Sequence, residues 1–117
     1  MRILVCGAGG QVGRELVERA SRFGLDVLAP ARAQLDIAKP EQVADAMRQR
    51  PELIINAAAY THVDNAESHG EQAYAVNRDG PRHLAEAAKH AGVPLFHIST
   101  DYVFSGEATR PYTESDE

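Results

Sequence analysis

The sequence has no tryptophan, a single cysteine (Cys6) and only 6% aromatic residues among its 117. One cysteine cannot build an internal disulfide framework and fits a reducing compartment. With so few aromatics, any core must be aliphatic, made of Val, Leu, Ile and many Ala. Basic residues are outnumbered, 12 Lys and Arg against 17 Asp and Glu, for a net charge of −5. That balance argues against a general nucleic-acid or anionic-membrane surface, since either needs a basic patch. A local phosphate site stays allowed, because backbone N–H groups bind phosphate without net positive charge. Long hydrophobic runs are also missing: the first seven residues are too short an apolar stretch for a signal peptide, and no later run approaches membrane-spanning length. We therefore expect a soluble, cytoplasmic chain with neither membrane nor nucleic acid as partner. The five histidines (His62, His69, His83, His90, His97) show no HExxH or paired-cysteine pattern, so no metal site is expected.

What is present is ordinary globular material, 44% hydrophobic and 25% charged, of a length that suits one domain or part of one. Short apolar runs alternate with stretches of helical period. Ile3–Cys6 is apolar without alternation, as in a strand covered on both faces. Val12, Leu16, Ala20 and Phe23 then recur at helical spacing, and Gly24 stands where a helix C-terminal cap is usual. Val27–Ala29 reads as a second strand. Pro40 opens a helix whose buried stripe is Val43 and Met47. Leu53–Ile55 is a third strand. A long helical stretch runs from Gly70 to about Ala91, and Gly80-Pro81 predicts a kink or two abutting helices within it. Val93–Ile98 is a fourth strand, in which His97 reads as a core histidine, whereas His83 and His90 read as a surface face. Strands alternating with helices imply a parallel sheet with right-handed crossovers. In such sheets ligands bind beyond the carboxyl ends of the strands, so the turns after residues 6, 29, 56 and 98 are the ones to inspect.

The first of these turns, Cys6-Gly7-Ala8-Gly9-Gly10-Gln11-Val12-Gly13, carries glycines at 7, 10 and 13 between a strand and a helix. Gly7 permits a tight exit from the strand, Gly10 lets backbone approach a pyrophosphate, and Gly13 allows close helix packing. Phosphates would rest on free N–H groups at the helix N-terminus. A glycine triplet alone is weak, but this one has the strand-turn-helix context that a dinucleotide site requires. Cys6 beside it is either a thiol at a helix N-terminus or small-residue packing beneath the cofactor, and we expect the second. The second strand ends without the carboxylate that often binds a ribose 2′-OH. Arg32 is there instead, either meeting a 2′-phosphate, which favours NADPH or dual use, or standing as a solvated surface residue. Asp36 is a candidate adenine contact or a turn aspartate.

The third strand leads into Asn56-Ala57-Ala58-Ala59-Tyr60-Thr61, small residues against which a flat cofactor can lie. The fourth delivers Ser99-Thr100-Asp101-Tyr102-Val103-Phe104, where a hydroxyl can stabilise negative charge developing on a substrate carbonyl. These segments, with Gly7–Leu16, Gln34–Ile37, Val63–Glu67, Ala75-Val76-Asn77, Gly80-Pro81, Leu84-Ala85 and His97–Phe104, run in register over nearly the whole chain. Together they resemble the extended short-chain dehydrogenase/reductase family and, within it, the dTDP-4-dehydrorhamnose reductases. The fold this implies is α/β, a Rossmann-type doubly wound parallel sheet, here its N-terminal part of about four strands with helices on both faces, forming one NAD(P)-binding domain over 1–117. The cofactor implied is NADPH or NADH and the partner a dTDP-linked 4-keto sugar, with a possible homodimer.

The resemblance also implies roles for single residues. Gly10, Gln11 and Val12 would line the diphosphate and nicotinamide side, Asp36 and Ile37 the adenine. Ala57, Ala58, Ala59, Tyr60 and Thr61 would flank the adenosine ribose and the nicotinamide half. Asn77 would brace the long helix against the active-site strand. Thr100 would be the catalytic hydroxyl of a Ser/Thr-Tyr-Lys triad, with Asp101 and Tyr102 beside the sugar; Tyr102 reads equally as a packed aromatic. Val63, Asp64 and Glu67 would be pocket or dimer-surface residues, though Asp64 and Glu67, about one helical turn apart, read equally as a solvated acidic face. The family's Tyr-x-x-x-Lys is not found: Tyr60, Tyr74, Tyr102 and Tyr112 are followed four positions on by Asp64, Arg78, Gly106 and Asp116. The expectation is thus an N-terminal fragment, inactive by itself, of a reductase of about 300 residues, its fourth strand an aggregation-prone edge. Two further readings keep the fold: a non-catalytic regulatory subunit of the methionine adenosyltransferase type, and a sugar-nucleotide epimerase or dehydratase with tightly retained NAD⁺.

Overall fold

The structure, a computed structural model, describes residues 1–62 and 69–116. Val63, Asp64 and Glu67, expected at a pocket or dimer surface, lie outside the described residues. Four strands, β1 (Arg2–Cys6), β2 (Asp26–Leu28), β3 (Leu53–Asn56) and β4 (Leu95–His97), form one parallel sheet in the order β2-β1-β3-β4. Register pairs Leu4 with Leu28 and with Ile54, and Asn56 with both Cys6 and His97. β2 starts one residue earlier than its apolar run suggests, and β4 is only three residues long. Among the described residues the α-helices are α1 (Gln11–Arg22), α2 (Pro40–Met47), α3 (Gly70–Tyr74) and α4 (Gly80–Ala91).

Side chains alternate along a strand, so Leu4, Cys6, Ile54 and Asn56 share one face of the sheet while Ile3 and Val5 share the other. The first face carries the main core: Leu4, Cys6 and Ile54 pack with Leu35, Ile37, Val43 of α2, Val76, and Leu84 and Ala88 of α4. Burying each such aliphatic side chain stabilises the fold by about 1.5–3 kcal/mol. Among the described residues the opposite face is covered by α1 alone, and this alters the helix-stripe expectation. Gly13 is the one fully buried residue of α1, whereas Val12 is 49% and Phe23 82% exposed. A helical period shows which residues share a face; it does not show how much material covers that face.

The long helical stretch breaks just before Gly80-Pro81. Ala75–Asp79 form a π-helical turn, closed by the Gly80 N–H donating to the Ala75 carbonyl five residues back. Pro81 has no N–H to give the Asn77 carbonyl, and its ring crowds the carbonyl four residues behind it. A widened turn at this point relieves both demands. Gly80 has a second reason to lack a side chain: a Cβ there would lie 2.6 Å from Cδ1 of Ile37. His83, expected on the surface, is half-buried, and its Nδ1 donates to the Ile37 carbonyl at 3.0 Å. The start of α4 therefore seats the Asp36-Ile37 loop.

After β4 the chain makes a short 3-10 turn, Asp101–Val103, and then a clasp. Phe104 stacks on Tyr112 at a 4.3 Å centroid distance. Arg110 holds both carboxylate oxygens of Asp116, at 2.6 and 2.8 Å, and the Thr113 N–H adds a third bond at 2.7 Å. The Arg110 guanidinium, and after it the Thr113 amide, hold the Asp116 carboxyl down at about 2.

Two outcomes follow. Leu84→Ala, at a fully buried position, should lower unfolding free energy by about 2–5 kcal/mol, while Phe23→Ala should change it by about 0.5 kcal/mol or less; denaturant melts decide. Because the folded-state value of Asp116 is depressed, the clasp's contribution is complete above the ordinary carboxyl range and disappears as pH falls toward about 2. Carboxyl and Tyr112 ring NMR shifts followed between about pH 5 and pH 1.5 should move together near that lower value.

Candidate dinucleotide and substrate site

The order β2-β1-β3-β4 puts the topological switch between β1 and β3: the chain leaves β1 toward β2 and leaves β3 toward β4. A crevice at the carboxyl ends of the strands is expected at that point. The glycine turn makes the crevice possible by bringing three backbones together. Gly7 has φ +76°, and a Cβ on it would stand 2.6 Å from the Ala58 backbone nitrogen. A Cβ on Gly13 would stand 2.1 Å from the Gly7 carbonyl oxygen. The third glycine thus packs α1 onto the exit turn of β1 itself, more closely than a contact with the sheet alone would require.

Gly10 caps α1 without a side chain, and its own N–H is spent on the Gly7 carbonyl at 3.0 Å. The Arg14 N–H to the Gly10 carbonyl is the first bond along the helix. The N–H groups of Gln11, Val12 and Gly13 therefore have no acceptor in their own helix, and they carry the positive end of its dipole. A Cβ on Gly9 would meet nothing within 4 Å, so the space above this turn is open. Free amides, open space and the absence of side chains fit a diphosphate.

Two cavities flank the turn and share Ala57, Ala58, Ala59 and Tyr60 as a common wall. The one toward β2 has a volume of ≈ 320 Å³ and is lined by Gly7–Gly10, Pro30, Ala31, Arg32, Leu35, Asp36, Ile37 and Val76 besides that wall. Arg32 is exposed, with no carboxylate within ion-pair distance among the described residues. Asp36 is half-committed: its Oδ1 accepts from the Ala38 N–H at 3.1 Å, an Asx turn, yet it still faces the cavity. The second cavity, of ≈ 510 Å³, lies toward β4 and adds Val12, Thr61, Asn77, His97, Ile98, Ser99, Thr100, Tyr102 and Val103. Gln11 and Gly13 line neither; the first stands at the helix start and the second is buried beneath it.

Two asparagines hold the shared wall. Asn77, in the π turn, accepts from the Tyr60 N–H at 2.8 Å through Oδ1 and donates to the Tyr60 carbonyl at 3.0 Å through Nδ2. It therefore braces the helix against the loop after β3, not against β4. Asn56, fully buried, accepts from the Ala58 N–H at 3.1 Å and reaches across to His97 at 3.0 Å. His97 is exposed, contrary to its expected place in a core. The residue pattern gives neither Asn56 nor His97 a role at the site; the available signal is a lone amide closing an apolar strand.

Thr100 caps the 3-10 turn, accepting from the Tyr102 N–H at 3.3 Å and donating to Asp101 at 3.2 Å. Thr100 and Tyr102 face the larger cavity, whereas Asp101 does not line it. Cys6 is buried under the turn, where burial pushes its thiol up to about 12, so it is packing and not a nucleophile. Among the described residues no group of three or more His, Cys, Asp or Glu side chains is placed to hold a metal ion, and no helix is long and apolar enough to cross a membrane.

Gly13→Ala should destabilise the fold by about 1–3 kcal/mol through overpacking and remove dinucleotide binding, while Gly9→Ala, with open space around it, should cost no more than about 0.5 kcal/mol. Denaturant midpoints for the two variants, compared side by side, check the contrast.

The comparisons with known proteins agree with this geometry. Residues 1–117 match the RmlD substrate binding domain family. The chain is 47% identical over 120 residues to a dTDP-4-dehydrorhamnose reductase of Mycobacterium tuberculosis, covering 99% of this chain and 39% of that protein. It is 48% identical over 114 residues to one from Streptomyces griseus, covering 97% and 38%. Among solved structures, a dTDP-4-dehydrorhamnose reductase of Clostridium acetobutylicum superposes with a TM-score of 0.91 at 42% identity, over 100% of this chain and 42% of that one. The Bacillus anthracis enzyme, solved in complex with NADP, gives 0.85 at 40% identity, over 92% and 39%. The chain thus spans about two fifths of the length of the relatives it matches. Its Rossmann-type sheet, its glycine turn and a match over every residue make this chain a member of the RmlD substrate binding domain family.

Proposed function

We propose that these 117 residues are the dinucleotide-binding part of an NAD(P)H-dependent reductase that converts dTDP-4-dehydro-6-deoxy-L-mannose to dTDP-L-rhamnose. The observation that carries the reading is the start of α1, where the Gln11, Val12 and Gly13 amides have no acceptor in their own helix, set behind an open glycine turn that two cavities flank. The diphosphate rests on those amides. The adenosine half occupies the smaller cavity, its base near Asp36 and Ile37 and its ribose near Arg32. The nicotinamide half runs along Ala57–Thr61 into the larger cavity, toward Val12 and Thr100.

In this reading the cofactor supplies a hydride to C4 of the sugar when bound. Thr100, its hydroxyl turned away from the Asp101 carboxylate that holds it at 3.2 Å, donates a hydrogen bond to the carbonyl oxygen as charge develops there; Tyr102 borders the sugar, while Asp101 stands beside Thr100 and off the cavity wall. The phenolic proton donor and its lysine belong to the remainder of a protein of the relatives' length. A homodimer and a cytoplasmic location are part of the same proposal; the acidic balance and the buried, unpaired Cys6 support the second.

The test uses the complete protein. NADPH oxidation should depend on dTDP-4-keto-6-deoxy-L-mannose, and Arg32→Ala should weaken NADPH about tenfold or more, the size of a lost charge-assisted hydrogen bond, with NADH unaffected. Equal losses for both dinucleotides would remove Arg32 from the 2′-phosphate role. No turnover of the keto sugar, beside firm dinucleotide binding, would favour the regulatory reading.

A further inference from the structure

Asn56 and His97 carry information that the proposed function does not use. The Asn56 side chain is fully buried, and its orientation is set by a backbone group: Oδ1 accepts from the Ala58 N–H at 3.1 Å. The other end of the amide is then NH₂, which can only donate, and 3.0 Å away it meets Nδ1 of His97. Turning the amide over would set its NH₂ against the Ala58 N–H and leave buried donors without acceptors. Nδ1 of His97 is therefore the acceptor, and the neutral ring carries its proton on Nε2.

That assignment matters because His97 lines the larger cavity with Thr100. The other nitrogen-bearing side chain on that wall, Asn77, has spent both ends of its amide on the Tyr60 backbone. The Thr100 hydroxyl, held by Asp101 and Tyr102, is already assigned to the reacting carbonyl. With Nδ1 committed, Nε2–H is the one polar group left on the His97 side chain. A neutral N–H donor suits an uncharged oxygen, such as a sugar hydroxyl or carbonyl, better than a diphosphate.

We propose that His97, oriented by Asn56 with its proton on Nε2, donates a hydrogen bond to an oxygen of the sugar ring and so helps fix which sugar is accepted. The inference rests on the larger cavity being the sugar side of the proposed reductase. Asn56 acts through His97 and is a positioning residue, one that also ties sugar recognition to the Ala58 loop against which the cofactor lies.

The experiment again uses the complete protein and has two readouts. Long-range ¹⁵N–¹H correlation of the His97 ring should show Nε2 protonated and Nδ1 bare; a ring protonated mainly on Nδ1 overturns the proposal. His97→Phe should raise KM for dTDP-4-keto-6-deoxy-L-mannose about tenfold, as for one lost neutral hydrogen bond, with the Kd for NADPH unchanged. His97→Gln, which keeps an N–H donor, should recover most of that loss. An unchanged KM in His97→Phe, or an equal loss of NADPH affinity, overturns this inference alone. A wild type that holds NADPH but ignores the sugar nucleotide overturns the functional reading and this one together.

Discussion

The structure depends on one close approach of three main chains. The exit turn of β1, the first turn of α1 and the loop after β3 meet where side chains on residues 7 and 13 would overlap backbone atoms, at 2.6 and 2.1 Å respectively. Removing those two side chains lets α1 start immediately beyond the sheet, and its first amides then face the crevice at the β1/β3 switch. A wider turn would still join the strand to the helix but would carry the amides away from the cavity walls. The chemistry proposed for this chain thus follows from a steric fact about glycine.

Around that contact the fold holds the crevice open with polar side chains and leaves the aliphatic core beneath it. Asn77 grips the Tyr60 backbone from a π turn, and Asn56 fixes Ala58 from the end of β3. Both amides satisfy backbone groups that a ligand-lining loop would otherwise leave unpaired, since such a loop has no ladder of its own. Ile37 is seated on Gly80 and tied through its carbonyl to His83, so the Asp36-Ile37 wall of the smaller cavity is anchored to α4 in the same way.

How much of this could be read from residues alone followed the range of the interaction. Buried parallel strands are continuous apolar runs, so β1 and β3 could be located directly. The glycine spacing is local and steric, so the turn could be located as well. The coverage of α1 was not legible: Val12 and Phe23 keep helical spacing, but only the assembled sheet shows that, among the described residues, one helix covers that face and leaves both exposed. The pairing of Asn56 with His97 spans 41 residues and rests on strand register, which a single sequence does not display. The Arg110–Asp116 clasp, by contrast, is local. Its members look like ordinary surface charges until the Phe104–Tyr112 stack brings the segment back on itself.

The helix-start amides bear the weight of the account, and they can be observed directly. Backbone amide shifts of the complete protein, recorded while NADPH is added, should move most at Gln11, Val12 and Gly13, with smaller changes along Ala57–Ala59. Saturable binding that leaves those three amides unmoved, with shifts gathered elsewhere on the surface, would contradict the claim that this turn is built to hold a diphosphate.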